Sequence, residues 1–173
     1  RLMKEDAAKG DKGLYHFSAY ARTRLFLQDR KGKLPEDIVT ANTDQTRAHF
    51  GQMTHGGTDN HAWMHRASAV VMLDYIDEPK LRKGWPEEKI RGCFADQTQR
   101  FFYVGHGEWD SSTYIPFSAA AVSNVYDFAK TEKSKTIARA WLDWHAATRA
   151  LRYFHGVSVG PESRGFADEA VAT

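Results

Sequence analysis

His55-Gly56-Gly57-Thr58-Asp59-Asn60-His61-Ala62-Trp63-Met64-His65 joins a flexible polar turn to the start of the strongest helical pattern in the chain. Two glycines permit backbone angles that other residues avoid, so the main chain can turn tightly and approach a ligand there. Thr58 or Asp59 is a natural N-cap, because a side-chain oxygen at that position accepts an otherwise unpaired amide of the first turn. From Asp59 onward, Ala62, Ala69, Val70, Met72, Leu73 and Ile76 supply the apolar surface of a largely buried helix that stops before Pro79. Asn60 and His61 then stand at the positive end of that helix, where free N–H groups and the helix dipole favour an anion such as a carboxylate. His65 lies one turn below His61.

The pattern outward from this helix is helical in both directions. Leu14 to Arg30 lacks Pro and Gly and is closed by Lys31-Gly32, and shorter segments follow from Leu34 to Asn42 and from Thr43 towards Phe50. Downstream, Gly84-Trp85-Pro86-Glu87-Glu88 opens a helix to about Val104, with proline in the first turn and acids at the positive end. Ile90, Phe94, Phe101 and Phe102 are its candidate core positions. Gly105 to Tyr114 is a second Gly-flanked polar loop, and Pro116 is a good first residue for a helix to about Lys130. A last long helix is expected from Lys133 to Phe154, with Trp141, Trp144, Ala147 and Leu151 on one face. Residues 156–173 read as an irregular tail.

These segments describe an all-α chain of helical hairpins, 1–173, as a single domain or a fragment of a larger one. If consecutive hairpins stack side by side, the loops after alternate helices emerge at one end, and residues distant in sequence can share a site. With 173 residues the chain is long enough to bury one sizeable core. The formal charge of +2, with Lys and Arg scattered among acids, gives no argument for nucleic acid. Cys93 is the only cysteine, so neither a disulfide framework nor a cysteine-based zinc site is available. No apolar run spans a bilayer. No signal peptide is visible, but the chain begins at Arg1 rather than Met, so processing or truncation leaves export undecided. Five Trp, seven Tyr and ten Phe, several beside polar residues, suit a sugar-binding cleft as well as an aromatic core.

The polar loops admit several chemistries. His61 and His65 have the i, i+4 spacing with which two imidazoles hold one divalent metal such as zinc, with His55 or His106 as a third ligand. The zinc-protease motif, however, has Glu directly after its first His, where this chain has Ala62. Asn60 and His61 with Tyr114 form an alternative set. Removing the proton beside a uronate carboxylate spreads charge into that carboxylate, so donors must be aimed at its oxygens. A tyrosine with an ordinary pKa of about 10 needs a nearby cation or donor to act as base. Arg66, Arg100 and Arg164 are candidates for that help, while Tyr114 can equally be a helix-entry tyrosine. Glu108 and Asp110 invite a glycosidase reading, since paired carboxylates cleave glycosidic bonds. Asp110 can instead cap the next helix. Trp109 has an apolar face suited to a sugar ring, and His145 and His155 read as surface or packing residues.

Gly57-Thr58-Asp59-Asn60-His61, followed by Met64-His65-Arg66, and the later Gly107-Glu108-Trp109-Asp110-Ser111-Ser112-Thr113-Tyr114 resemble two motifs of the α/α-toroid polysaccharide lyases, such as alginate and glucuronan lyases. The resemblance covers roughly residues 55 to 165 and is specific in its two loops. It implies part of an α/α toroid, an incomplete barrel, because a whole toroid has more hairpins than this chain supplies. It further implies β-elimination on an acidic polysaccharide, with Asn60 and His61 neutralising the carboxylate and Tyr114 carrying the proton. His106, Glu108, Trp109, Arg66 and Arg164 would hold the sugar, with no organic cofactor, in a periplasmic or secreted setting. The family tends to place an arginine close to its tyrosine, so Arg100 or Arg164 would have to arrive through the fold; otherwise His61 or His106 is the better base. A metal-dependent or carboxylate-based glycan hydrolase and a non-catalytic carbohydrate-binding protein remain the alternatives.

Overall fold

The computed structural model describes residues 24, 27, 34–40, 44, 57–75, 85–155 and 157–160. Within them the chain is predominantly helical, as the patterning requires. The long helices are α1 (Asp59–Leu73), α2 (Glu87–Val104), α3 (Tyr114–Phe128) and α4 (Glu132–Ala150). Residues 36–40 add a short helical stretch, and the isolated residues Arg24, Leu27 and Asp44 are also helical. The remainder of the helices expected over Leu14–Arg30 and Thr43–Phe50 lies outside the described residues. No helix among the described residues is long and apolar enough to cross a membrane.

Helix α1 is the centre of the packing. Twelve of its fifteen residues are buried, from Asn60 to Leu73, so it is enclosed almost all round, with the polar Asn60, His65 and Ser68 among the buried residues. It packs against α3 and α2, and α4 closes the group by packing against both α2 and α3. The outer helices bury only stripes. On α2 the stripe is Ile90, Phe94, Gln97, Thr98 and Phe101, and on α4 it is Ser134, Ala138 and Trp141, each at three- and four-residue steps. Trp63 of α1 is the hub. Phe94 and Phe101 meet its ring edge-on, with centroids 6.0 and 6.2 Å away, and Trp141 lies tilted at 5.3 Å. Edge-to-face pairs of this kind add to the stabilisation from area alone.

Helix boundaries follow the local chemistry, and three differ from expectation. Helix α1 ends at Leu73, where the Asp74 side chain accepts the Lys130 N–H at 2.7 Å and pairs with Arg91 at 2.5 Å, tying its end to the α3–α4 turn and to α2. Helix α3 starts at Tyr114 rather than Pro116, because Ser111 Oγ accepts the Tyr114 N–H at 3.0 Å and so supplies the first-turn bond. Helix α4 stops at Ala150, short of the expected Phe154. Leu151 and Phe154 are largely exposed, so no burial favours continuing the helix. Instead Tyr153–Phe154 (β1) pairs antiparallel with Val157–Ser158 (β2), in the register Tyr153 to Ser158 and Phe154 to Val157. The start of the expected irregular tail is therefore a small strand. The rest of that tail, 161–173, lies outside the described residues.

Candidate functional site

The two polar loops, far apart in sequence, meet at one end of the helix group. Thr58 precedes α1 but makes no side-chain bond to its first-turn amides; its hydroxyl donates instead to Asn60 Oδ1 at 2.7 Å. The capping comes from across the fold. The Asn60 N–H donates to Glu108 Oε2 at 2.9 Å, and the Gly107 N–H donates to Asp59 Oδ2 at 2.8 Å, each over a separation of 48 residues. Each loop thus offers a carboxylate to a backbone amide of the other. Helix α1 gains the negative charge that its positive end favours, and the loop from Gly105 to Thr113 is fixed onto it. A side chain at Gly107 would begin 3.5 Å from Asp59 Cβ, an ordinary van der Waals contact.

His106 sits inside this clasp. Its Nε2 lies 3.0 Å from Ser118 Oγ on α3, and its Nδ1 lies 3.1 Å from both Asp59 Oδ2 and the Glu108 amide nitrogen. One neutral tautomer donates from Nδ1 to Asp59 and accepts the Ser118 hydroxyl; the other donates to Ser118 and accepts the Glu108 N–H. Burial pushes the His106 imidazole below its ordinary pKa, while Asp59 and Glu108 pull the other way. The result is a buried link between α1, the loop and α3.

Below the clasp, a cleft of about 390 Å³ opens between α1 and α2. It is within the size range of small-molecule sites. Asp59, Ala62, Trp63 and Arg66 line it from α1, Gln97, Arg100, Phe101 and Val104 from α2, and Gly57, Gly105 and Gly107 from the loops. Gly105 adopts φ 76°, and a side chain there would begin 3.2 Å from the Trp109 ring, so this corner of the cleft depends on glycine.

The residues singled out in the sequence fall into distinct places. Asn60 and Glu108 are 1% and 4% exposed and belong to the clasp with His106. His61 is half-buried with its Cβ 3.3 Å from where a side chain at Gly57 would begin, and, like Asn60, it is not among the residues lining the cleft. Arg66 and Arg100 line the cleft, whereas Tyr114, half-buried at the start of α3, is not among the lining residues. His65 is 1% exposed in the core, and no group of three His, Cys, Asp or Glu side chains suited to a metal occurs among the described residues. His55 and Arg164 lie outside the described residues.

Trp109 and Asp110 turn towards the end of α4. The Arg152 guanidinium lies over the Trp109 ring at 3.8 Å, while Asp110 pairs with Arg152 and with Arg149 at 3.6 Å. Asp110 therefore does not cap α3, the role expected as the alternative to catalysis; its φ of 52° turns the backbone in the loop, and its carboxylate holds two arginines. Close by, His145 stacks on Trp141 at 5.0 Å, and its pKa is lowered to about 4 by burial, with Arg149 and His106 adding to the effect and Asp110 opposing it.

Several contributors escaped sequence reasoning. In the sequence Asp59 signals only a possible cap, and Ser118, Arg149 and Arg152 carry no visible signal. Gln97 does carry one. It interrupts the apolar stripe of α2 between Phe94 and Phe101, and a polar residue in a buried stripe needs partners. No family model, curated protein or solved structure matches this chain. The likeness to toroid lyases therefore stands on the two loop motifs alone.

Proposed function

We propose that this chain is part of an α/α-toroid polysaccharide lyase that cleaves a uronic-acid-containing polysaccharide by β-elimination. In that reaction the proton on the carbon beside the carboxylate leaves, a C=C bond forms, and the bond to the glycosidic oxygen breaks as that oxygen takes a proton. The carboxylate must accept charge in the transition state, so donors aimed at it lower the barrier. His61 at the mouth of α1 supplies one donor. Asn60 supplies a second through Nδ2, which is buried without a hydrogen-bond partner among the described residues, while Oδ1 is held by Thr58. Tyr114 carries the proton, with His61 as the other candidate base.

The observation that supports this reading is the direct joining of the two motif loops. The paired bonds between Asp59-Asn60 and Gly107-Glu108 bring residues from both motifs to the rim of one cleft. Glu108 and His106 then act by holding the two loops in register rather than by touching the sugar. The test is ultraviolet absorbance during incubation with alginate, glucuronan and other polyuronates, since only elimination creates a new C=C bond. A rise with the parent that His61→Ala and Tyr114→Phe both abolish supports the proposal. Polymer cleavage that yields new reducing ends without absorbance would replace it with hydrolysis, and an intact polymer with bound protein would replace it with a binding role.

A further inference from the structure

The cleft wall contains two arginines, Arg66 and Arg100, that pair with no acid among the described residues. Arg66 Nη1 donates to Gln97 Oε1 at 2.9 Å, and its Nε is buried without a partner among the described residues. Arg100 lines the same cleft, is exposed, and has no ion pair among the described residues. Buried donors are ordinarily satisfied, and leaving one unsatisfied is costly. Asp59 is the acid that shares this wall, and its charge is already engaged. Its Oδ2 takes the Gly107 N–H and faces His106, and its Oδ1 lies 3.4 Å from Gln97 Nε2. Gln97 stands between the two charges, giving its amide hydrogens towards Asp59 and its oxygen to Arg66. Among the described residues, the lining is left with one positive charge in excess, Arg66 and Arg100 against Asp59. The end of α1 adds little to this, because Asp59 and Glu108 already occupy it.

We propose that Arg66 and Arg100 form an anion-binding subsite that takes a sugar carboxylate, with Gln97 as the positioning residue that fixes the Arg66 guanidinium. A planar guanidinium suits a carboxylate because two parallel N–H donors match its two oxygens. Assigning the carboxylate to a uronate rests on the lyase reading, whereas the presence of an anion site does not.

The experiment is calorimetric titration of the full chain at low salt with saturated uronate trisaccharides, a neutral glucose trisaccharide and a sulfated neutral trisaccharide. Tyr114→Phe, which removes the proton carrier and leaves the carboxylate donors in place, serves as the background so that turnover does not consume the ligand. Arg66→Gln and Arg100→Gln are each expected to weaken uronate binding at least tenfold, and the neutral sugar is expected to bind at least tenfold more weakly than the uronate. Because Arg66 is partly buried, its variant can lose the fold; exposed Arg100 then carries the test, with thermal melting as the control. Uronate binding unchanged in Arg100→Gln, equal binding of the neutral sugar, or no uronate binding by the parent background overturns the subsite. Tighter binding of the sulfated sugar overturns the carboxylate assignment. The absorbance assay separates the two readings: arginine-dependent binding without a rise rejects the lyase and keeps the subsite, while a rise whose KM ignores both arginines does the reverse.

Discussion

Glu108 illustrates how one side chain can carry a site without facing it. Its carboxylate accepts the Asn60 N–H from a nearly sealed position, so deleting it leaves a buried amide unsatisfied as well as removing charge from a helix end. Glu108→Ala is expected to cost about 1–3 kcal/mol, read as a lowered melting temperature. Glu108→Gln, which keeps an acceptor of the same reach, is expected to lose about 1 kcal/mol or less. A general acid would behave in the opposite way, with Gln as inactive as Ala in a cleavage assay but as stable as the parent. Sequence reasoning singled out Asn60 at a helix mouth and His106 and Glu108 beside glycines, but in two separate sets with separate roles. It turned them towards a sugar because nothing in the spacing reveals that each loop carries the acceptor for the other. Asp110 was misread for a related reason: its partners Arg149 and Arg152 lie about forty residues on, reachable only through the fold.

The helices were more legible than their ends. Helix α2 runs from Glu87 to Val104 as expected, because Pro86 and two acids mark its start and glycine marks its finish. Helix α4 overran in the sequence reading because Leu151 and Phe154 continue its apolar periodicity, yet both are exposed and the chain turns into a hairpin. Periodicity records what can be buried, and tertiary packing decides what is. Two substitutions examine α4 directly. Thr131 accepts the Ser134 N–H at 3.4 Å at its N-cap, so Thr131→Ala is expected to cost about 1 kcal/mol. Trp141 touches Trp63 and Phe101 at 5.3 and 5.0 Å and is fully buried; Trp141→Ala is expected to cost about 3–5 kcal/mol, measured by denaturant unfolding.

For the molecule as a whole, one buried imidazole makes stability depend on pH. His145 is held neutral, its pKa lowered from 6.5 to about 4 by burial, with Arg149 and His106 reinforcing the shift and Asp110 opposing it. Between those values the unfolded chain binds a proton that the folded chain refuses. Stability is therefore fully present above about pH 6.5 and falls as the pH is lowered towards 4. With partial solvent screening the loss amounts to roughly 1–2 kcal/mol. His145→Phe, which keeps a ring against Trp141, is expected to flatten the melting temperature across that window. An unchanged slope would assign the acid sensitivity elsewhere, with buried His106 as the first place to look. The clasp carries a different global consequence. Its two amides, Asn60 in the first turn of α1 and Gly107 in the loop after α2, find their acceptors only once those segments have come together, so neither is protected by local winding alone. In a hydrogen-exchange experiment the two should therefore slow together and open together, and their common opening free energy would report how often the rim of the cleft comes apart in the native state.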